Sequence, residues 1–204
     1  MKIALIGPPG SGKGTYAQLL EAKGWKRITI GDLLRKETKK NTSLGKRIKK
    51  LINTGKLVPN KIIFSLINKE LKHIKNKNIV FDGMPRTLTQ ARFLSKLNID
   101  KVFLIKVSKQ KILQRLKYRL QCPKCGRTYN TKTNPPKKKG ICDFCKGKLV
   151  RREDEKIIQR RLKEYKQHAN KIISYLKKQN NLYILDGERP IKKVFSDLEK
   201  LLNK

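Results

Sequence analysis

Acidic residues are scarce in this sequence. Fifteen Asp and Glu stand against 52 Lys and Arg in 204 residues, a formal net charge of +37. Such a surface attracts polyanions: it binds nucleic acid non-specifically at low salt and suits anionic nucleotide substrates. The lysines are spread over the whole length, however, and single out no face. A genome-wide composition bias or a high-salt cell interior accounts for them without an RNA partner. Long apolar runs are missing too. None approaches the ~20 residues that span a bilayer, which excludes a membrane-spanning helix. No signal peptide is visible ahead of the first apolar run, so the expectation is a cytoplasmic protein. Histidine occurs only at 73 and 168, in lysine-rich helical stretches, where surface positions are expected rather than ligands. Cysteine is confined to four positions between residues 122 and 150. The length allows one α/β domain of ordinary size with a small insertion.

What is present begins with a strand-like run, Ile3-Ala4-Leu5-Ile6, followed by Gly7-Pro8-Pro9-Gly10-Ser11-Gly12-Lys13-Gly14-Thr15 and a helical pattern over 16–23. Glycines let successive backbone N–H groups point at phosphate oxygens, and the helix start adds partial positive charge. Lys13 is placed to reach the β- and γ-phosphates of a nucleotide and Thr15 to serve a Mg²⁺ shell. Gly14 departs from the general phosphate-loop pattern, in which Ser or Thr follows the lysine.

Four more short strands are expected at 26–30, 78–83, 102–105 and 182–186, alternating with helices. That alternation predicts an α/β fold whose parallel sheet is covered on both faces. Asp32 is expected to cap the helix after the second strand, and Asn60 the helix running to about 75. A helix over 110–120 would place Arg115 and Arg119 on one face, four residues apart. Ligands bind at the carboxyl ends of parallel strands, where the glycine-rich loop, Arg35, Asp82 and Arg86 all fall.

Residues 122–150 lose helical periodicity. Cys122-Pro-Lys-Cys125 and Cys142-Asp-Phe-Cys145 are separated by sixteen residues, the spacing of a zinc ribbon with two thiolate pairs on one tetrahedral ion. Gly126 and Gly147 suit the knuckle turns. The alternative of two disulfides conflicts with a chain lacking an export signal. About 30 polar residues build little core of their own, so the metal is expected to be structural. Lys137-Lys138-Lys139 reads as a solvated tip.

With these pieces in place, the chain resembles the adenylate kinases in the long form whose lid carries a four-cysteine metal site. The carriers are residues 7–15, Gly-Asp-Leu-Leu-Arg (31–35), Gly-Lys-Leu-Val (55–58), Asp-Gly-Met-Pro-Arg-Thr (82–87) with Gln90, and Arg115 with Arg119. The cysteine segment, Arg-Arg-Glu-Asp-Glu (151–155) and Arg161 complete them. The Lys13-Gly14-Thr15 ending is itself the form that nucleoside monophosphate kinases use. The resemblance implies a P-loop NTPase-type, five-stranded parallel sheet formed by 1–29, 59–118 and 156–204. It further implies a helical monophosphate-binding insertion at 30–58 and a zinc-ribbon-like lid at 119–155. Both insertions are expected to swing inward on substrate.

Residue by residue, the resemblance implies that Gly10, Ser11, Gly12, Lys13, Gly14 and Thr15 hold the ATP phosphates. Arg115, Thr128, Tyr129 and Arg189 complete the ATP side, Arg189 with Pro190 through a backbone contact to adenine. The AMP side comprises Ile30, Arg35, Lys56, Leu57, Val58, Gly83, Met84, Pro85, Arg86, Gln90, Arg152 and Arg161, with Gln90 on the base. Arg86, Arg119, Arg152 and Arg161 join Lys13 around the transferring group. Asp82, with Thr15, belongs near the Mg²⁺ water shell, and Asp154 near the lid. Cys122, Cys125, Cys142 and Cys145 hold Zn²⁺. The segment from 151 to 161 is about two residues shorter than the common pattern, which leaves Arg151 and Arg152 both open for one role.

Two departures bear on the acceptor. Ile30 stands where the family carries a threonine near the monophosphate base, and Met84 replaces an aromatic residue. The reading is therefore a Mg²⁺-dependent phosphotransferase of nucleotide biosynthesis, ATP + AMP ⇌ 2 ADP, acting as a monomer on ATP, AMP and ADP. Its alternatives are a kinase for another nucleoside monophosphate, or a basic zinc-ribbon RNA-binding protein that uses nucleotide as a switch. Against the last, the cysteine segment offers only Tyr129 and Phe144 for base stacking. Phosphoryl transfer leaves the protein mainly positioning and charge neutralisation, which is what converging arginines supply.

Overall fold

The structure is a computed structural model that describes residues 1–75, 78–151 and 155–203. Its centre is a five-stranded parallel sheet in the order β2-β3-β1-β4-β8. The strands are β1 (Lys2–Ile6), β2 (Lys26–Thr29), β3 (Ile79–Asp82), β4 (Lys101–Lys106) and β8 (Leu182–Asp186). Their side chains alternate between two faces, as the strand period requires. Ile3, Leu5, Val80, Phe103 and Ile105 point to one face, packed by α1 (Lys13–Ala22) and α8 (Ile191–Leu202) through Tyr16, Leu20, Val194 and Leu198. Ala4, Ile6, Phe81, Val102 and Leu104 point to the other. There α2 (Ile30–Thr38), α3 (Ser43–Asn53), α4 (Asn60–Lys72), α5 (Leu88–Lys96) and α7 (Glu155–Lys178) build the larger core. With both faces covered, the central strands read as unbroken apolar runs.

The helix starts follow side-chain chemistry. Thr42, Thr87 and Ser108 cap α3, α5 and α6 (Lys109–Lys117), each accepting a backbone N–H from three residues on. Two expected caps are corrected. Thr29 occupies the cap position of α2, and Asp32 lies inside its first turn, free to meet arginines instead. Pro59 occupies the cap position of α4, and Asn60 is its first helical residue.

A third correction concerns α6, which ends at Lys117 rather than running to residue 120. Arg119 opens β5 (Arg119–Gln121), the middle strand of a small antiparallel sheet between β6 (Thr128–Asn130) and β7 (Val150–Arg151). Arg115 and Arg119 therefore share no helix face. The sequence lacked the cue because a three-residue strand carries no readable period. Pairing of Leu120 with both Tyr129 and Arg151 ties the two ends of the cysteine segment together. Among the described residues no helix is long and apolar enough to cross a membrane.

Candidate active site

The site is built at the carboxyl ends of the parallel strands. Leu5 of β1 and Thr29 of β2 both lie level with Asp82 of β3, so everything that follows these strands opens into one space. The loop after β1 turns into α1 at Gly12, whose φ of +100° a side-chain-bearing residue rarely adopts. Above it is a cavity of about 560 Å³.

Lys13 Nζ donates to Gly7 O at 2.6 Å, Pro8 O at 2.7 Å and Ser11 Oγ at 3.2 Å, so the loop encloses its ammonium group although the residue as a whole is only half-buried. Burial lowers its pKa to about 7. The Asp82 carboxylate opposes that shift, while the cationic Arg86, Arg119 and Arg161 add to it. A methyl group at Gly14 would lie 3.4 Å from both Asp82 Oδ2 and Thr128 Oγ1. The cysteine segment, through Thr128, thus meets the phosphate loop beside the carboxylate expected in the Mg²⁺ shell. Thr15 and Asp82 both line the cavity and offer hard oxygen donors, which fits a magnesium ion that keeps most of its waters.

Arginines enter from separate elements. Arg86 follows β3, its Nε donating to Gly83 O at 2.8 Å. Arg115 Nη2 donates to Gly187 O at 2.7 Å, bridging α6 to the loop before α8. Arg35 comes from α2 and pairs with Asp32. Arg119, Arg161 and Arg189 also line the cavity, as do Gly10, Gly12, Gly14, Gly83, Thr128 and Tyr129. Ser11 is fully buried beneath the loop. Arg152 and Asp154 lie outside the described residues.

The remaining residues expected on the AMP side do not line this cavity. Ile30, Val58 and Met84 are buried in the larger core, Pro85 is buried, Leu57 is half-buried and Lys56 is exposed. Gln90 is 1% exposed, and its amide is engaged at both ends. Its Oε1 accepts from the Arg86 backbone N–H at 2.7 Å, and its Nε2 donates to Asn60 Oδ1 at 2.9 Å. The Gln90 amide is thereby held in an orientation set by Asn60 and Arg86.

The four cysteines are unbridged, and their sulfurs lie within 4.8 Å of one another. The two knuckles share one backbone pattern. Cys122 N donates to Arg127 O and Gly126 N to Cys122 O; Cys142 N donates to Gly147 O and Lys146 N to Cys142 O. The left-handed turn residue is Gly126 in the first (φ +75°) but Lys146 in the second (φ +58°), not the expected Gly147. Gly147 serves otherwise: a methyl there would sit 3.1 Å from Cys122 Sγ. Burial pushes the Cys142 thiol up. Hydrogen bonds from the Tyr129 hydroxyl and from the Cys145 and Phe144 backbone N–H groups outweigh it and bring the pKa down to about 6. A thiolate so held fits a tetrahedral, thiophilic metal such as zinc. Tyr129, expected over the nucleotide, has its hydroxyl 3.4 Å from Cys142 Sγ and accepts from Asp143 N at 3.0 Å, so it also supports the metal donor set.

Arg27 and Gln121 belong to the cavity wall but were missed by the sequence reading. In a chain with 52 basic residues one more arginine carries no signal. The one available cue was alternation along β2, which puts Arg27 on the same face as Thr29.

Comparison with known proteins agrees with this geometry. The family model for adenylate kinase matches residues 5–181. An adenylate kinase from Methanothrix thermoacetophila is 40% identical over 214 aligned positions, covering 100% of this chain and 99% of the relative. One from Fervidobacterium nodosum is 36% identical over 212 positions, covering 99% and 97%. One from Mycoplasma capricolum is 41% identical over 186 positions, covering 87% of each. The match runs through the phosphate loop, the arginine-lined cavity and the four-cysteine segment alike, and the chain belongs to the adenylate kinase family.

Proposed function

We infer that this chain transfers the terminal phosphoryl group of ATP to AMP, reversibly and with Mg²⁺, giving two ADP. The observation that carries the reading is the convergence on one cavity of Lys13 with Arg35, Arg86, Arg115, Arg119 and Arg161, drawn from six different places in the chain. Two polyphosphates must be brought in line against their mutual repulsion. Cations arriving from both sides compensate it where charge develops during transfer.

Lys13, Arg86, Arg119 and Arg161 surround the transferring group in this reading, joined by Arg152. Arg115, Thr128 and Arg189 hold the ATP side, and Arg35 the phosphate of AMP. Gln90 donates an amide N–H to the adenine. Magnesium supplies charge neutralisation between the phosphates when bound, and Asp82 with Thr15 would orient its waters. Zinc on the four cysteines is structural, holding the lid at 119–155 in shape. The segment at 30–58 moves with AMP and the lid with ATP, excluding water from the transfer. A single chain supplies both sides of the cavity, so a monomer suffices. The cytoplasm, where these free nucleotides are found, is the compartment the reading favours.

A coupled assay of ADP formation across AMP, GMP, CMP and UMP tests it. The expected result is AMP as the fastest acceptor, with loss of turnover and retention of fold in Lys13→Met. UMP or CMP used faster than AMP would reassign the acceptor within the same reaction class. Turnover retained in Lys13→Met would overturn the assignment of the phosphate loop.

A further inference from the structure

Five charged side chains of alternating sign run from the lid to the monophosphate side of the cavity. Arg127 Nη2, beside the first cysteine knuckle, donates to Glu21 Oε2 on α1 at 2.8 Å. The same oxygen lies 3.5 Å from Arg27 Nε on β2, and Arg27 Nη2 lies 3.8 Å from Asp32 Oδ2 on α2. Asp32 in turn pairs with Arg35 through its other oxygen. The lid end is anchored by the Arg127 guanidinium stacking on Phe144 of the second knuckle, 4.1 Å from the ring centroid. The lid also approaches the far end directly: a methyl built on Gly126 would collide with the Asp32 carboxylate.

Arg27 is the unusual member. Its side chain is 8% exposed, its Nε is buried without a hydrogen bond, and it faces two carboxylates that it only loosely contacts. A nearly desolvated guanidinium is unfavourable unless a carboxylate engages it well. Asp32 has the converse problem. It now neutralises Arg35, and a phosphate dianion arriving at Arg35 must displace it. A partly buried carboxylate stripped of its cation then costs more than the pair was worth.

We propose that Arg27 is a positioning residue for the acceptor monophosphate. Asp32 passes from Arg35 to Arg27 as the phosphate arrives, and Arg27 and Glu21 transmit the exchange to Arg127 of the lid. Arg27 touches no reacting atom in this scheme. It works by giving the displaced carboxylate somewhere to go, and the altered Arg27–Glu21 contact biases the seating of the lid. The inference rests on the reading of Arg35 as the residue that grips the phosphate of AMP.

The test measures KM for AMP, KM for ATP and kcat in Arg27→Gln, Arg27→Lys, Asp32→Asn, Arg27→Gln/Asp32→Asn and Arg35→Gln. Without Arg27, Asp32 has only Arg35, so KM for AMP should rise about tenfold, the order set by one partly buried charge pair. KM for ATP should move less than about twofold on the same scale, and Arg27→Lys should restore most of the loss. Neutralising Asp32 removes the competitor, so the double variant should return KM for AMP to within about threefold of the parent. An unchanged KM for AMP in Arg27→Gln, an equal rise for both substrates, or no rescue by Asp32→Asn would overturn the proposal. Should Arg27→Gln fold poorly, Glu21→Gln gives a separate reading. It should remove any strengthening of AMP binding by a non-hydrolysable ATP analogue, and full retention of that strengthening would refute the link to the lid. If Arg35→Gln leaves KM for AMP unchanged, the underlying reading of Arg35 fails, which is distinguishable from failure at Arg27.

Discussion

ATP affinity should fall as pH rises above neutrality, and Lys13 is the cause. Its pKa lies near 7, lowered first by burial and then by Arg86, Arg119 and Arg161. A bound polyphosphate replaces the carbonyls of Gly7 and Pro8 with anionic oxygens and returns the ammonium to its ordinary range, about 10.4. Binding above neutrality therefore takes up a proton, and affinity declines with a slope approaching one decade per pH unit. Between pH 7 and pH 9 the dissociation constant should weaken about fifty-fold, with about 0.9 proton taken up per nucleotide at pH 8. Phosphate groups, whose second pKa lies near 6, are about nine-tenths ionised at pH 7 and contribute little above it. The sign for stability is opposite. The unfolded lysine keeps its proton up to about 10.4 while the folded one loses it near 7, so the empty protein should gain stability over that interval. Calorimetric titration of ATP in two buffers of different ionisation enthalpy reads the proton uptake directly. A flat affinity from pH 7.5 to 9, or the same slope in Lys13→Met, would refute the reasoning.

Purified protein should carry about one Zn²⁺ per chain, and a chelator should collapse hydrogen-exchange protection over 122–150 before the parallel sheet loses any, as expected when metal supplies the local folding energy. Lys146→Gly should stabilise the metal-bearing segment by about 1 kcal/mol, because a left-handed residue loses its Cβ penalty; chelator or thermal titration of that segment measures it. Gly126→Ala should impair lid seating. Its φ of +75° and the contact with Asp32 both oppose a methyl group, so turnover should fall by an order of magnitude or more. Far-ultraviolet circular dichroism should stay unchanged.

The parallel sheet was legible because its strands are short apolar runs between glycine- and charge-rich turns, and the phosphate loop because its glycines come at fixed spacing after such a run. The cysteine spacing was equally open to reading. Other features were hidden. The end of α6 at Lys117 was invisible because Arg119-Leu120-Gln121 continues a helical composition, and only pairing with β6 and β7 makes it a strand. Asp32 and Asn60 are good capping residue types at plausible places, yet tertiary partners claim them. Asp32 meets Arg27 and Arg35, and Asn60 Oδ1 accepts from Gln90. Arg27 left only the alternation along β2 as a cue, because a basic residue is the commonest thing in this chain.

That last failure points to where information in so basic a sequence lies. With 52 cations and 15 anions, a lysine or arginine by itself identifies nothing, since cations outnumber carboxylates more than three to one. A carboxylate is scarce, so its position is informative. Glu21 meets Arg27 and Arg127; Asp32 meets Arg27 and Arg35; Asp82 acts on Lys13. Each of these cations lies at the cavity or on the cysteine segment beside it. These three acidic residues act on basic side chains placed for phosphate, whereas Glu37, Glu70 and Glu199 pair with exposed lysines outside the cavity, and the rest of the charge stays a diffuse surface field that salt screens. On this argument, removing lysines from the outer faces should change the salt dependence of nucleotide association but leave the reaction itself intact. Neutralising any of these three carboxylates should alter substrate binding or turnover at constant salt.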